Sequence, residues 1–168
     1  MNLAAQGKHM FKAILISTVL LIGAPAMTAE RPDIAKFFNE FSYEKLDTAD
    51  DFYAEDVVFE DPLGKINGLK DLKKYYAGLY KNVVSIRFEF SNVIRQGDEE
   101  VGIWVMYLKA KSLNGGEEIA LKGNSHVRYN AEGKAIYHRD YFDMGEFIYE
   151  HIPVLSSIIG IVKNRLKH

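Results

Sequence analysis

Cysteine is missing from the sequence altogether. That excludes a disulfide-stapled scaffold and thiolate catalysis. With no Cys following the N-terminal apolar run, lipid anchoring as a lipoprotein is excluded as well. The absence does not locate the protein, because exported chains need not carry disulfides. An excess of charge of one sign is missing too: 21 Lys and Arg stand against 23 Asp and Glu, for a formal net charge of −2. No nucleic acid partner is expected from such a balance. The glycines build no phosphate-cradling loop, and neither H-x-H nor H-E-x-x-H spacing occurs. Linkers, repeats and low-complexity stretches are also lacking, and 168 residues fit one domain.

The N-terminus carries the pattern of an export leader. Lys8 and Lys12 precede an apolar run, Ala13 to Ile22, that is too short to span a bilayer comfortably. Gly23 and Pro25 break the run, and Ala24-Pro25-Ala26 supplies a small-residue cleavage site, with Met27-Thr28-Ala29 as a weaker second one. The expectation is a signal peptide over 1–26, a domain over 30–145 and a helical tail over 146–168. An uncleaved N-terminal anchor is the alternative. Cleavage removes Lys8 and Lys12 and takes the net charge from −2 to −4, giving a mildly acidic protein in the periplasm or outside the cell.

Arg31-Pro32-Asp33 reads as a helix entry, with Ile34, Phe37, Phe38 and Phe41 on one apolar face. A second short helix is expected through Leu46, Ala49, Phe52 and Tyr53. Val57 to Asp61 reads as a short strand stopped by Pro62, with Val57, Phe59 and Asp61 on the inward face. After Gly68 a helix turns Leu69, Leu72, Tyr75, Tyr76 and Leu79 inward. From Val83 the period becomes two, and four long strands follow in meander order. Their inward faces carry Trp104 and Met106, then Ser125, then His138, Asp140 and Phe142. Helices followed by a meander make an α+β fold. In the tail, Ile152, Leu155, Ile159, Val162 and Leu166 form a helical stripe. It packs on its own domain, on a second copy as a homodimer contact, or on a membrane surface.

Polar groups on inward faces are the candidates for chemistry. Asp61 caps the turn before Pro62 and Gly64, or it serves a cavity. His138 and Asp140, two apart on one strand, share a face and can meet. If the sheet curls over the helices, these three enter one pocket lined by Phe37, Phe38, Tyr53, Tyr76, Trp104, Met106 and Phe142, a setting for a hydrophobic small molecule and a general base. Asp61, His138 and Asp140 lack a metal-ligand spacing, so no metal or other cofactor is expected.

A strand ending V-x-F-x-D-P-x-G, a Gly-led helix, and a meander ending His138-Arg139-Asp140-Tyr141-Phe142-Asp143 resemble the SnoaL-like branch of the nuclear transport factor 2-like superfamily. The resemblance covers roughly Ile34 to Asp143. It implies a cone-shaped α+β barrel, in which a curved antiparallel sheet wraps the N-terminal helices; the C-terminal amphipathic helix lies outside it. Tyr53-Ala54-Glu55-Asp56 and Glu60-Asp61-Pro62-Leu63-Gly64 are similar to the ketosteroid isomerases. That likeness implies Asp61 as proton-shuttling base and Tyr53 and Tyr76 as supporting tyrosines. Phe37 and Ser125 stand where that family has its two oxyanion donors, a departure that removes the stabilisers of an enolate. Asp140 lies at a position comparable to the strand acid of the SnoaL-like cyclases. The Asp-Arg-Asp set of limonene epoxide hydrolase is not matched, because Arg139 faces outward. Three readings follow: a proton-transfer enzyme using Asp61, Asp140 and His138, a non-catalytic binder of an apolar ligand contacting Ser125 and the aromatic lining, or an assembly or membrane-adjacent module working through its tail.

Overall fold

The computed structural model describes residues 29–167, and the expected leader over 1–26 lies outside the described residues. Asp33 opens the first helix, α1 (Ile34–Glu40), by accepting the Lys36 N–H at 3.0 Å, which satisfies one of the orphan donors of a helix start. Asn39 then latches α1 to the sheet: its amide donates to Phe88 O at 3.0 Å and its carbonyl accepts from Phe88 N at 2.8 Å. The second expected helix is broken. A 3-10 turn, Tyr43–Thr48, with Lys45 out of helical geometry, runs into a short α2 (Ala49–Phe52). Tyr53 does not close that helix; it opens β1 (Tyr53–Asp61), because its backbone pairs with Ala135 far along the chain.

From β1 the chain turns at Pro62 into β2 (Gly64–Asn67), and Gly68, at φ +86°, hands it to α3 (Leu69–Tyr80). That dihedral is open to glycine and strained for other residues. Four long strands follow: β3 (Val83–Gln96), β4 (Glu99–Ala110), β5 (Ile119–Tyr129) and β6 (Ala135–Phe142). The sheet order is β2-β1-β6-β5-β4-β3. The meander is antiparallel as expected, but β1 joins β6 in parallel, with Phe59 opposite His138 and Glu60 opposite Arg139. The sheet is therefore mixed, not antiparallel throughout, and it stays open, with β2 and β3 at its edges. A parallel pair needs a long crossover, here the whole run from β2 to β5, and no local pattern announces it.

The concave face of the sheet closes on α1, α2 and α3 over an aromatic core. Phe37 stacks on Phe52 at 4.1 Å between ring centroids, and Phe41 meets Tyr76 edge-on at 5.0 Å. Trp104 lies flat against Gly123 across the β4–β5 pair, where a Cβ would sit 2.2 Å from the indole. Only a residue without a side chain admits the ring there.

After β6, Asp143 caps a short α4 (Met144–Phe147), a 3-10 turn follows at Tyr149–His151, and α5 (Pro153–Leu166) ends the described chain. The tail is helical, yet it does not fold back on its own sheet. Val154, Ile158, Ile161 and Leu166 are 71%, 53%, 55% and 81% exposed. No helix among the described residues is long and apolar enough to cross a membrane.

Candidate functional site

Two neighbouring strand ends and one helix build the site. Asp61 is the last residue of β1, and Asp140 lies one step beyond Arg139 on β6. Because Glu60 pairs with Arg139 in parallel register, the next step sets Asp61 beside Asp140 on the inward face. The two carboxylates line one cavity of about 140 Å³ between α3 and the sheet, walled by Tyr75, Tyr76 and Tyr80 from α3 and by Phe88, Trp104 and Phe142 from the strands. A smaller pocket of about 50 Å³ adjoins it, sharing Tyr76, Tyr80, Phe88 and Asp140 and floored by Phe37 and Phe38.

The carboxylates differ in what holds them. Asp61 has both oxygens engaged. Oδ1 accepts the backbone N–H groups of Leu63 at 2.8 Å and Gly64 at 3.0 Å, and Oδ2 accepts the Tyr75 hydroxyl. The turn-capping role and the cavity position thus coincide in one residue. Asp140 is held through Oδ1 alone, which accepts the Ser125 hydroxyl and the Nε2–H of His138, the latter at 2.9 Å. Its Oδ2 has no partner among the described residues, so the free acceptor of the cavity belongs to Asp140.

Behind Asp140 a hydrogen-bonded chain runs through the core. Trp104 Nε1 donates to Ser125 Oγ at 2.9 Å, and the hydroxyl of Ser125, in register opposite Asp140, donates its hydrogen bond to the carboxylate. On the other side, His138 Nδ1 faces the Tyr53 hydroxyl at 2.7 Å, and Tyr53 meets the Tyr76 hydroxyl at 2.9 Å. Burial pushes the Tyr53 and Tyr76 phenols well above the usual tyrosine range. With both protonated, the simplest assignment gives Tyr76 O–H to Tyr53, Tyr53 O–H to Nδ1, and the ring proton of His138 to Nε2. Tyr75 and Tyr80 are also pushed up, by burial first and then by the carboxylates: Asp61 and Asp140 for Tyr75, Asp140 for Tyr80. The Tyr80 hydroxyl has no partner among the described residues, which makes it the cavity's free hydroxyl.

Of the residues expected at the site, Asp61, Asp140, Tyr76, Trp104, Met106 and Phe142 line the main cavity. Phe37 and Phe38 line only the adjoining pocket. His138, Ser125 and Tyr53 are placed differently from the expectation: all three are buried behind the wall, because each faces a hydrogen-bond partner in the core and not the free space. They are linked to the cavity through Asp140. Sequence reasoning passed over Tyr75 and Tyr80. Tyr75 belongs to the inward stripe of α3, and its pairing with Asp61 is a long-range contact that periodicity does not report. Among the described residues no group of three His, Asp or Glu is placed to hold a metal ion; His138 and Asp140 turn their polar atoms on each other.

The SnoaL-like domain family matches residues 34–138. No curated protein matches the sequence. Several solved structures share the fold. A protein of unknown function from Burkholderia pseudomallei, described as NTF2-like, is 21% identical with a TM-score of 0.55, over 62% of this chain and 86% of its own. A hypothetical protein with a ketosteroid isomerase-like fold from Catenulispora acidiphila, in complex with trimethylamine, is 15% identical with a TM-score of 0.59, over 70% of this chain and 91% of its own. An LEH-like epoxide hydrolase from M. tuberculosis is 17% identical with a TM-score of 0.56, over 74% and 90%. At such identities the likeness establishes a shared fold and nothing finer.

Proposed function

The chain belongs to the SnoaL-like domain family, and we propose that it takes up a small molecule with an apolar body between α3 and the sheet and exchanges a proton with it at Asp140. One observation carries this reading: Asp140 presents an unpartnered Oδ2 to an aromatic cavity while Ser125 and His138 hold its other oxygen in place. A carboxylate fixed in that way is oriented before the ligand arrives, which is what general base catalysis asks of its base. The proton moves from the ligand to Oδ2 and returns from Oδ2 to a second atom of the same molecule. The net change is an isomerisation that needs no co-reactant. Asp61, with both oxygens engaged, acts in this reading as a fixed neighbouring charge and not as the base. The complex of the Catenulispora acidiphila protein with trimethylamine supports small-molecule uptake by this fold.

The test uses Trp104, the chain's only tryptophan, which lines the cavity. A panel of small apolar molecules with acidic C–H groups is titrated by its fluorescence, and bound members are followed for deuterium exchange at carbon by NMR. Asp140→Asn is expected to keep binding the neutral members of the panel and lose exchange. Exchange that survives in Asp140→Asn removes Asp140 as the base.

We further propose that the protein works outside the cytoplasm, on the leader pattern of residues 8–26. N-terminal sequencing of the secreted product should begin at Met27, or at Glu30 if the weaker site is used. The exposed apolar side of α5 favours a second, compatible role for the tail as a contact helix, for a second copy or for a membrane surface.

A further inference from the structure

We infer that the ligand of this cavity is an organic cation, an amine or iminium carrying apolar substituents; this rests on the cavity reading above and names its substrate class. Among the described residues the lining holds two carboxylates, Asp61 and Asp140, and no Lys, Arg or His side chain. His138 touches Asp140 from behind and is fully buried outside the cavity wall. The remaining lining is dominated by rings, and several of these meet near right angles: Tyr76 with Tyr80 at 90°, Phe88 with Trp104 at 89°. Aromatic rings attract a positive charge to their electron-rich faces. A cation lodged there gains the ring faces and the free Oδ2 of Asp140 together.

The same groups disfavour a ligand that becomes an anion. The Ser125 hydroxyl donates its hydrogen bond to Asp140, Phe37 carries no donor, and the Tyr75 hydroxyl donates to Asp61. An enolate would meet two carboxylates with one free hydroxyl, that of Tyr80, to offset them. A cationic nitrogen removes that difficulty. When a C–H bond next to an iminium breaks, the proton goes to Asp140 Oδ2. The C–H electron pair forms a C=C bond, and the C=N pair moves onto nitrogen. The product is a neutral enamine; where the iminium carries a β,γ double bond it is a dienamine, and returning the proton to the far carbon of that dienamine gives the conjugated iminium with all atoms and charges balanced. Loss of positive charge on the ligand is matched by protonation of Asp140, so no net charge appears in the cavity.

Three probes of one tetrahedral shape and different charge test this: tetramethylammonium, tert-butanol and pivalate, each titrated against the full chain by Trp104 fluorescence. The expectation is that tetramethylammonium binds about tenfold or more tightly than tert-butanol and that pivalate does not bind. Asp140→Asn should shrink the preference for the cation and leave tert-butanol within about twofold, the neutral probe having no charge to lose. Phe88→Leu, which removes a ring and no charge, should weaken the cation more than the alcohol, so the inference has a second variant if Asp140→Asn does not fold. Uptake of tert-butanol or pivalate as tightly as the cation overturns the cation assignment and leaves the cavity reading standing. No response to any of the three overturns both.

Discussion

His138 Nε2 stands 2.9 Å from Asp140 Oδ1, two residues along the same strand, and the imidazole is buried where the carboxylate is not. The pair therefore has an inside and an outside. The core side ties the ring to Tyr53, while the cavity side leaves Oδ2 of the carboxylate open. Asp140 is aimed by residues that do not line the cavity, and these neighbours can be altered without touching the free oxygen.

Tyr53→Phe removes the hydroxyl facing Nδ1 and keeps the ring. It should destabilise the fold by about 1–3 kcal/mol, the cost of leaving a buried polar atom unpaired. His138→Ala should cost more, on the order of 3 kcal/mol, since it also opens a hole among Phe38, Phe59 and Tyr53. In a double mutant the two losses should fall short of their sum, because both remove the same hydrogen bond. Urea unfolding of the four proteins measures this; strict additivity would show that the bond contributes nothing.

Asp61 offers a separation of its two roles. Asp61→Asn keeps an oxygen for the Leu63 and Gly64 N–H groups, and stability should stay within about 0.5 kcal/mol of the parent. Asp61→Ala leaves both donors without their acceptor and should cost about 1–2 kcal/mol. Either change removes the carboxylate beside Tyr75, whose phenol should then titrate lower, as only burial and the charge of Asp140 remain to hold it up. Tyrosinate absorbance against pH reads the shift.

Alkali should unfold the protein through its buried phenols. Tyr53 and Tyr76 are pushed up chiefly by burial. Above about pH 10 the unfolded chain releases their protons and the folded chain keeps them, so stability falls as pH rises. Below that value their contribution is fully present. Each phenol adds about 1.4 kcal/mol of loss per pH unit, and Tyr76→Phe should flatten the slope accordingly. Urea midpoints taken between neutral pH and strong alkali give the slope directly.

In α5, Ile158→Asp and Ile161→Asp should leave the urea midpoint nearly unchanged, since both side chains are more than half exposed. If the helix is a contact surface, the same double variant should lower the sedimenting mass or release the protein from lipid vesicles. A large loss of monomer stability would instead show that α5 packs on the domain.

Much of this protein follows from local pattern. Period two places Phe59 with Asp61, and His138 with Asp140 and Phe142, on inward faces, because alternation along a strand is a property of the backbone. Pro62 ends β1 where expected, and Asp33 and Gly68 mark the helix starts, since each acts through its own dihedrals or its nearest N–H groups. Other features depend on residues far apart in the chain, and no periodicity encodes them. The parallel join of β1 to β6 sets Asp61 beside Asp140 across nearly eighty positions, a separation read from their numbering. Only the tertiary structure shows that Ser125 and His138 hold one oxygen of Asp140 and that Tyr75 takes up Asp61. Which of two equivalent-looking carboxylates keeps a free oxygen was decided by hydrogen-bond partners that arrive from three strands, a turn and a helix. A sequence reports which face a side chain takes, and packing decides what it meets there.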